Sequence, residues 1–526
     1  MKNKFISDLI LTSVTSIILS VLGMSFRVFV SNKVGAECMG LYQLIYTLYI
    51  PACTLASSGI HIATVRLISA KEAKLEADTG NIIKYCFTYS FIFGIFAFTV
   101  LFFGSKPAGI YLLKNPESIF CLKILAFGLP FLSAANVVNG YFTAKRKILK
   151  TLIIQISEDI SKIAVTVTAL YLFKNKTSSE LCTVLVLGSA AGEILSCLIA
   201  IIFYITEKKK KAEYTAHKES FRMLLSIAMP TAISAYVRSG LSSLENMLVP
   251  FGYRKYGYSQ EETLYHIGVF RGMVFPLMMF PSTLLNAAAR LLVPEISYAY
   301  EQNDRKKIES IAVKAIYSTL LFAFFISGVF IFFSEDFCNQ LYKNDEASVL
   351  LKLLAALIPI LYLDGIIDSM LKGINQQLAA MKYSITDSVI SVIMILILLP
   401  KFGVVGYIAV TYISSSVNTF MGIARFLKIT DIKLSVYNGI TLPALCSLTA
   451  ILPIFVVKKV CDISLPLAIN ITFSAILYAL FLIFMKTSSV KNILDPFKHL
   501  GSHSETLSSF KLRIQQQPAN GKSFKI

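Results

Sequence analysis

Runs of about 20 apolar residues recur along nearly the whole chain, and each can cross a bilayer core of roughly 30 Å. In hydrocarbon every backbone N–H and C=O must find its partner inside the protein, so only helices and closed barrels span it. The short alternating strands of an outer-membrane barrel do not occur. The chain therefore reads as an all-α polytopic membrane protein with about 14 transmembrane helices. Its composition agrees: 55% of the 526 residues are hydrophobic and 15% are charged, whereas a soluble chain carries about 25% charged residues.

The expected spans, numbered 1 to 14 below, are 9–30, 39–69, 82–104, 118–142, 151–173, 181–205, 222–250, 265–295, 311–333, 348–371, 384–400, 403–426, 439–457 and 465–485. The first follows Lys2 and Lys4, lacks a small-x-small cleavage site, and reads as an uncleaved span. Pro51 in span 2, and Pro276 and Pro281 in span 8, predict bends in those long segments. An even number of spans puts both termini on one side. With the N-terminus cytoplasmic, about 32 Lys and Arg fall in cytoplasmic segments and about 12 in the opposite loops. This asymmetry accounts for the net charge of +19 and removes nucleic acid as a partner. The runs Lys145-Arg146-Lys147 and Lys208 to Lys211 act first as topology anchors, with anionic membrane lipids as a second contact. None of the nine cysteines forms a C-x-x-C pair, and they read as small buried apolar residues.

The halves of the chain are related. The offset that lays Leu129-Pro130-Phe131 on Ile358-Pro359-Ile360 also lays Glu158 on Asp387. Six spans separate the copies, so two six-helix lobes form a parallel pseudo-repeat about an axis along the membrane normal. The expected division is 1–206 for spans 1–6, a basic cytoplasmic linker at 207–220, 221–430 for spans 7–12, and 431–486 for two extra C-terminal helices. A polar tail, 487–526, has no apolar period and reads as disordered and cytoplasmic.

Charges inside spans are costly unless paired or hydrated, so they mark candidate sites. Arg27, Arg66, Arg238 and Arg271 lie in or at the ends of spans 1, 2, 7 and 8. Arg27 and Arg66 lie close enough to span ends to snorkel, but Arg238 does not. Guanidinium groups stay charged and bind phosphate in bidentate fashion, so these residues are candidates for an anionic headgroup in a hydrated cavity. The carboxylates Glu158, Glu193, Glu245 and Asp364 are candidates for proton or monovalent-cation coupling. Glu158 and Lys162 are spaced i,i+4, which predicts an internal ion pair. Glu193 stands alone in span 6 and suits either an ion site or a satisfied interhelical contact. Asp364 and Asp368 share one face and repel unless water, a cation or a proton intervenes. There is no P-loop, G-x-G-x-x-G, H-E-x-x-H or G-x-S-x-G motif and no metal-ligand spacing among the five histidines. The expectation is a non-enzyme without cofactor or metal, driven by an ion gradient, membrane potential or downhill flux.

The segment Val34-Gly35-Ala36-Glu37-Cys38-Met39-Gly40-Leu41-Tyr42-Gln43-Leu44 resembles the LGAEGxGLYQ stretch of the polysaccharide-flippase branch of the multidrug/oligosaccharidyl-lipid/polysaccharide exporter superfamily. Ser57-Ser58-Gly59-Ile60 is similar to its SSGIP turn, with His61 where the family has proline. Gly272-Met273, Pro276-Leu277, Phe280-Pro281 and Leu292-Val293-Pro294-Glu295-Ile296-Ser297 follow its span-8 pattern, and Tyr258 to Glu262 resembles the loop before it. The resemblance implies paired lobes working by alternating access in a bacterial plasma membrane. Its implied cargo is an undecaprenyl-pyrophosphate-linked oligosaccharide, moved from the inner to the outer leaflet for cell-wall or spore-cortex synthesis. In the related lipid II flippases, arginines on the first, second and eighth spans line the cavity, and Arg27, Arg66 and Arg271 occupy those spans here. Two other functions stay open at this point. The carboxylates suit an ion-coupled multidrug exporter, and the basic tail suits a membrane scaffold for a cell-wall synthesis complex.

Overall fold

The computed structural model describes residues 2–73, 80–172, 177–207, 218–432, 434–461 and 466–484. The Lys208 to Lys211 run and the 487–526 tail lie outside the described residues. Helices and the short turns between them account for nearly all of the rest, with no strand among the described residues. By length and apolarity, seven helices among the described residues are able to cross a membrane, or nine when two bent pairs each count as one span. Two of the seven are double-length, Lys2–Ser57 and Gln377–Thr430, and each breaks at one glycine. Arg27 and Tyr42 line one cavity, although in a straight helix they would stand about 22 Å apart, so the chain folds back at Gly35. Gly35 (φ 80°) and Gly403 (φ 55°) hold backbone angles open to glycine and costly for other residues. With these breaks, every span expected from the sequence falls on helix over its described residues, apart from span ends and the turn positions noted below. The chain is a multi-pass membrane protein.

The bends follow proline only in part. Span 8 turns by 56° between Gln260–Met279 and Ser282–Glu301, at Phe280-Pro281. Pro51, by contrast, lies inside continuous helix, and span 2 breaks later, at Ser58 and Gly59, which take positive φ. Span 10, expected as one rod, turns by 58° between Asp345–Ala355 and Ile358–Gly373. Pro359 opens the second of those helices, while Pro130, its counterpart in the repeat expected from the sequence, lies inside the unbroken helix Ser118–Ala144. Proline tolerates a helix start better than an interior, but packing decides whether an interior proline breaks the rod. An additional short helix, Ser334–Leu341, joins spans 9 and 10. Asn32 Nδ2 donates to the Leu341 carbonyl at 2.5 Å, tying this helix to the end of span 1.

Buried apolar residues form three clusters. One joins both halves: Leu44, Leu122, Val249, Phe270, Leu351 and Tyr407 all belong to it, near the ends of their spans opposite the N-terminus. A second belongs to spans 2–7 toward the other end, around Ile68, Tyr89, Phe142 and Ala228. The third belongs to the later spans, around Ile296, Ile316, Met370 and Phe426. Without a hydrophobic drive between helices in lipid, close backbone approach at small residues holds such a bundle. A Cβ on Gly40 would collide with the Leu264 carbonyl, and one on Gly268 with that of Ala36. Spans 2 and 8 thus meet backbone to backbone at the far end. The two extra C-terminal helices pack on span 9, where Tyr478 Oη donates to the Leu321 carbonyl and Ser447 Oγ to that of Phe324, both at 2.9 Å.

At the end nearer the N-terminus, Lys147 and Lys150 both bridge to Glu207, the latter at 2.6 Å, clamping spans 4, 5 and 6 together. Partial burial pushes the Glu207 carboxyl up, but hydrogen bonds and charge from the two lysines outweigh it and hold the group below its usual range. A carboxyl lowered by folding stabilises above its unfolded pKa of about 4.3, and that contribution is lost as pH falls through the folded value. Glu207→Gln is expected to remove up to about 1 kcal/mol at neutral pH. It should also make thermal stability less sensitive to acid between about pH 5 and about pH 3, as read from melting curves across that range.

Candidate functional site

A cavity of about 340 Å³ lies where spans 1, 2 and 5 meet the bend of span 8. Arg27, Tyr42, Asp159 and Lys162 form its polar wall, and Met279 and Phe280 its apolar wall. The span-8 bend at Phe280-Pro281 is what places those two side chains there. Arg27 is half-buried and forms no ion pair with any described residue. Lys162 does not pair with Glu158 as the i,i+4 spacing predicted. Its ammonium lies 5.9 Å from the centroid of the Tyr46 ring and lines the cavity instead. The lining is mainly apolar, with two cationic groups and one carboxylate on its polar wall, which suits an anionic group with an apolar portion.

The other arginines stand elsewhere. Arg66 and Arg238 are exposed and line neither this cavity nor the polar one described next. Arg271 is half-buried in the second half, where Nε donates to Tyr407 Oη at 2.8 Å and the guanidinium lies 5.7 Å from that ring's centroid. Glu245 is near enough to feel the Arg271 charge, and Ser391 lies beside it. Asp387 accepts from Ser414, and Asp364 from Asn418 Nδ2 at 2.9 Å and Thr419 Oγ1 at 3.4 Å. Asp368 pairs with Lys372 at 2.5 Å, which relieves the repulsion expected between Asp364 and Asp368. No three His, Cys, Asp or Glu side chains among the described residues converge to hold a metal.

In the first half a second cavity, of about 400 Å³ and lined by polar residues, lies between spans 2, 4 and 5. His61, Asn136, Asn139, Gln155, Glu158 and Asp159 contribute to its lining. Next to it, Glu193 is 7% exposed on span 6, and Tyr49 Oη donates to its Oε1. Tyr42, Tyr46 and Tyr49 form a ladder on span 2, with ring centroids 4.5 and 5.4 Å apart, and Tyr46 Oη donates to Ser189 Oγ at 2.7 Å. Their i, i+4, i+7 spacing marks one helical face and was a legible signal for it. Gly188 and Gly192, four apart on span 6, let the span-5 backbone approach at Lys162 and Glu158.

The description "Polysaccharide biosynthesis protein" matches residues 6–300, and a second family, MatE, matches 267–397. Stage V sporulation protein B of Bacillus subtilis (strain 168) is 22% identical over 447 residues, covering 83% of this chain and 86% of that one. Lipid II flippase MurJ of the same organism is 21% identical over 470 residues, covering 81% and 83%. A solved structure of lipid II flippase MurJ, in an inward closed conformation, superposes with a TM-score of 0.68 at 16% identity, over 90% of this chain and 98% of that one.

Proposed function

Since the chain belongs to the polysaccharide biosynthesis protein family, a family of transport rather than catalysis, we propose that it is a flippase for an undecaprenyl-pyrophosphate-linked oligosaccharide. It moves this lipid from the inner to the outer leaflet of a bacterial plasma membrane by alternating access, with both termini cytoplasmic. The cargo serves cell-wall polysaccharide synthesis, the spore cortex included. The observation that carries the reading is the cavity between spans 1, 2, 5 and 8, with Arg27 and Lys162 on its wall. A pyrophosphate–sugar headgroup is anionic and bulky. It needs a polar, cationic chamber while its lipid tail stays in hydrocarbon. Arg27 supplies a planar fork for phosphate oxygens and Lys162 a mobile point charge. The lipid II flippase and sporulation relatives support the cargo class, and a proton or monovalent cation supplies the drive.

Native mass spectrometry of the purified protein is expected to find a co-purifying polyprenyl-pyrophosphate lipid. Arg27→Ala/Lys162→Ala should retain at most about a tenth of it, because each charged hydrogen bond contributes about 1.5–3 kcal/mol. Retention of that lipid by the double variant would remove the cavity from the mechanism. Absence of the lipid from wild type, with small organic cations bound instead, would favour an ion-coupled multidrug exporter.

A further inference from the structure

Glu193 stands out among the intramembrane carboxylates. Its Oε1 takes the Tyr49 hydroxyl, while its Oε2 is buried without any hydrogen-bond partner. That second oxygen rests against Gly128 of span 4, where a Cβ would collide with it. No coordination shell fits around an oxygen so enclosed, and no metal-holding cluster exists among the described residues. A proton needs no such space.

The groups facing Glu193 reinforce this. Span 2 presents Tyr49, with Tyr46 and Cys53 beside it, and span 4 presents Gly128. Span 5 presents Glu158 and Lys162, with Asp159 adjacent in sequence. Three carboxyls thus share one lysine inside the bilayer, an imbalance that proton binding relieves. A supply route adjoins the site. The polar cavity between spans 2, 4 and 5 is lined by Glu158, and its Asn139 Oδ1 and Thr151 Oγ1 are buried without partners, as befits groups hydrated in use. Glu158 and Glu193 are neighbours across the span 5–span 6 contact at Gly192, where a Cβ would meet the Glu158 carbonyl.

We propose that Glu193 is a proton-binding site of the first half, loaded from water in that polar cavity and linked to the transport cycle through Tyr49. Protonated on Oε1, the carboxyl donates to the Tyr49 oxygen, and the Tyr49 hydroxyl turns to Cys53, one helical turn along. Oε2 is then a neutral carbonyl oxygen, which tolerates its unpartnered position better than a charged one. Release of the proton leaves a buried charge that must be hydrated, so span 6 and span 2 have to part at Tyr49. Span 2 also carries Gly40 and Met39 of the far-end contact with span 8. Proton occupancy therefore favours the conformation seen here. The inference deepens the transporter reading by naming its coupling ion, and its test uses no lipid cargo, so either can fail alone.

The full-length protein is reconstituted in nanodiscs and infrared spectra are taken from acid to alkaline buffer. A carboxylic-acid C=O band is expected in wild type, absent in Glu193→Gln and displaced in Tyr49→Phe. Bands unchanged in Glu193→Gln would overturn the proton site. If that variant fails to fold, an unmoved band in Tyr49→Phe does the same. Linkage is read from the rate of disulfide formation between Met39→Cys and Gly272→Cys. It is expected to vary with pH beyond the cysteines' own thiolate titration, and to lose that excess when Glu193→Gln is added. An equal pH dependence in both would overturn the link to the cycle.

Discussion

A disulfide joining Met39→Cys to Gly272→Cys is expected to abolish lipid translocation until a reductant breaks it. A Cβ on Gly272 would stand 3.0 Å from that of Met39, near the 3.5–4.5 Å typical of a disulfide. Small helix adjustments therefore suffice, and cross-linking should run close to completion. Spans 2 and 8 belong to different halves, and at Gly40 and Gly268 each glycine seats the partner's carbonyl. The central apolar cluster joins the halves at the same end. In the alternating-access cycle proposed above, this contact opens in the opposite state, and a covalent bond there prevents it. Transport of a fluorescent polyprenyl-pyrophosphate analogue in proteoliposomes checks the result, with native cysteines replaced so that only the new pair reacts. Full transport with the bond intact would mean that the seam does not move. Overpacking gives a second route: Gly268→Leu inserts a side chain where a backbone carbonyl sits. A penalty of about 3 kcal/mol on the closed seam is roughly a hundredfold in the balance of the two states.

Arg271→Leu is expected to lower thermal stability in detergent by about 2–4 kcal/mol while leaving lipid retention near wild type. Arg271 is bound to the buried Tyr407 hydroxyl and is the cation whose charge reaches Glu245. Removing it strands a polar hydroxyl and leaves Glu245 facing Asp387 with no countercharge. Adding Glu245→Gln should recover part of the loss, and a double-mutant cycle on melting curves measures the coupling. A variant that folds as wild type but loses the lipid would return Arg271 to the headgroup site.

Much of the architecture was legible in the residue order. Apolar run length located the spans, since a bilayer sets the length of any helix that crosses it. The family motif around Gly35 and Gly40 pointed to the segment that forms the hairpin between spans 1 and 2 and the seam. Intramembrane charge named Arg27 and Glu193 as candidates, and the fold sets the first on a cavity wall and buries the second. The same rule treated Arg238 and Arg271 alike, although one is exposed and the other is held by Tyr407. Local spacing assigned Lys162 to Glu158, yet the aromatic ring and cavity beside it drew the ammonium away.

The sequence by itself determined helical class, approximate span positions and the candidate charged groups, because these depend on transfer into lipid and on spacing along one helix. Only the tertiary structure decided which charges share a chamber, which prolines bend their helices, and where the halves close on each other. Those outcomes depend on side chains brought together from distant spans: a glycine opposite a carbonyl, a tyrosine opposite a carboxyl, a phenylalanine placed by a bend. No local period encodes such pairings.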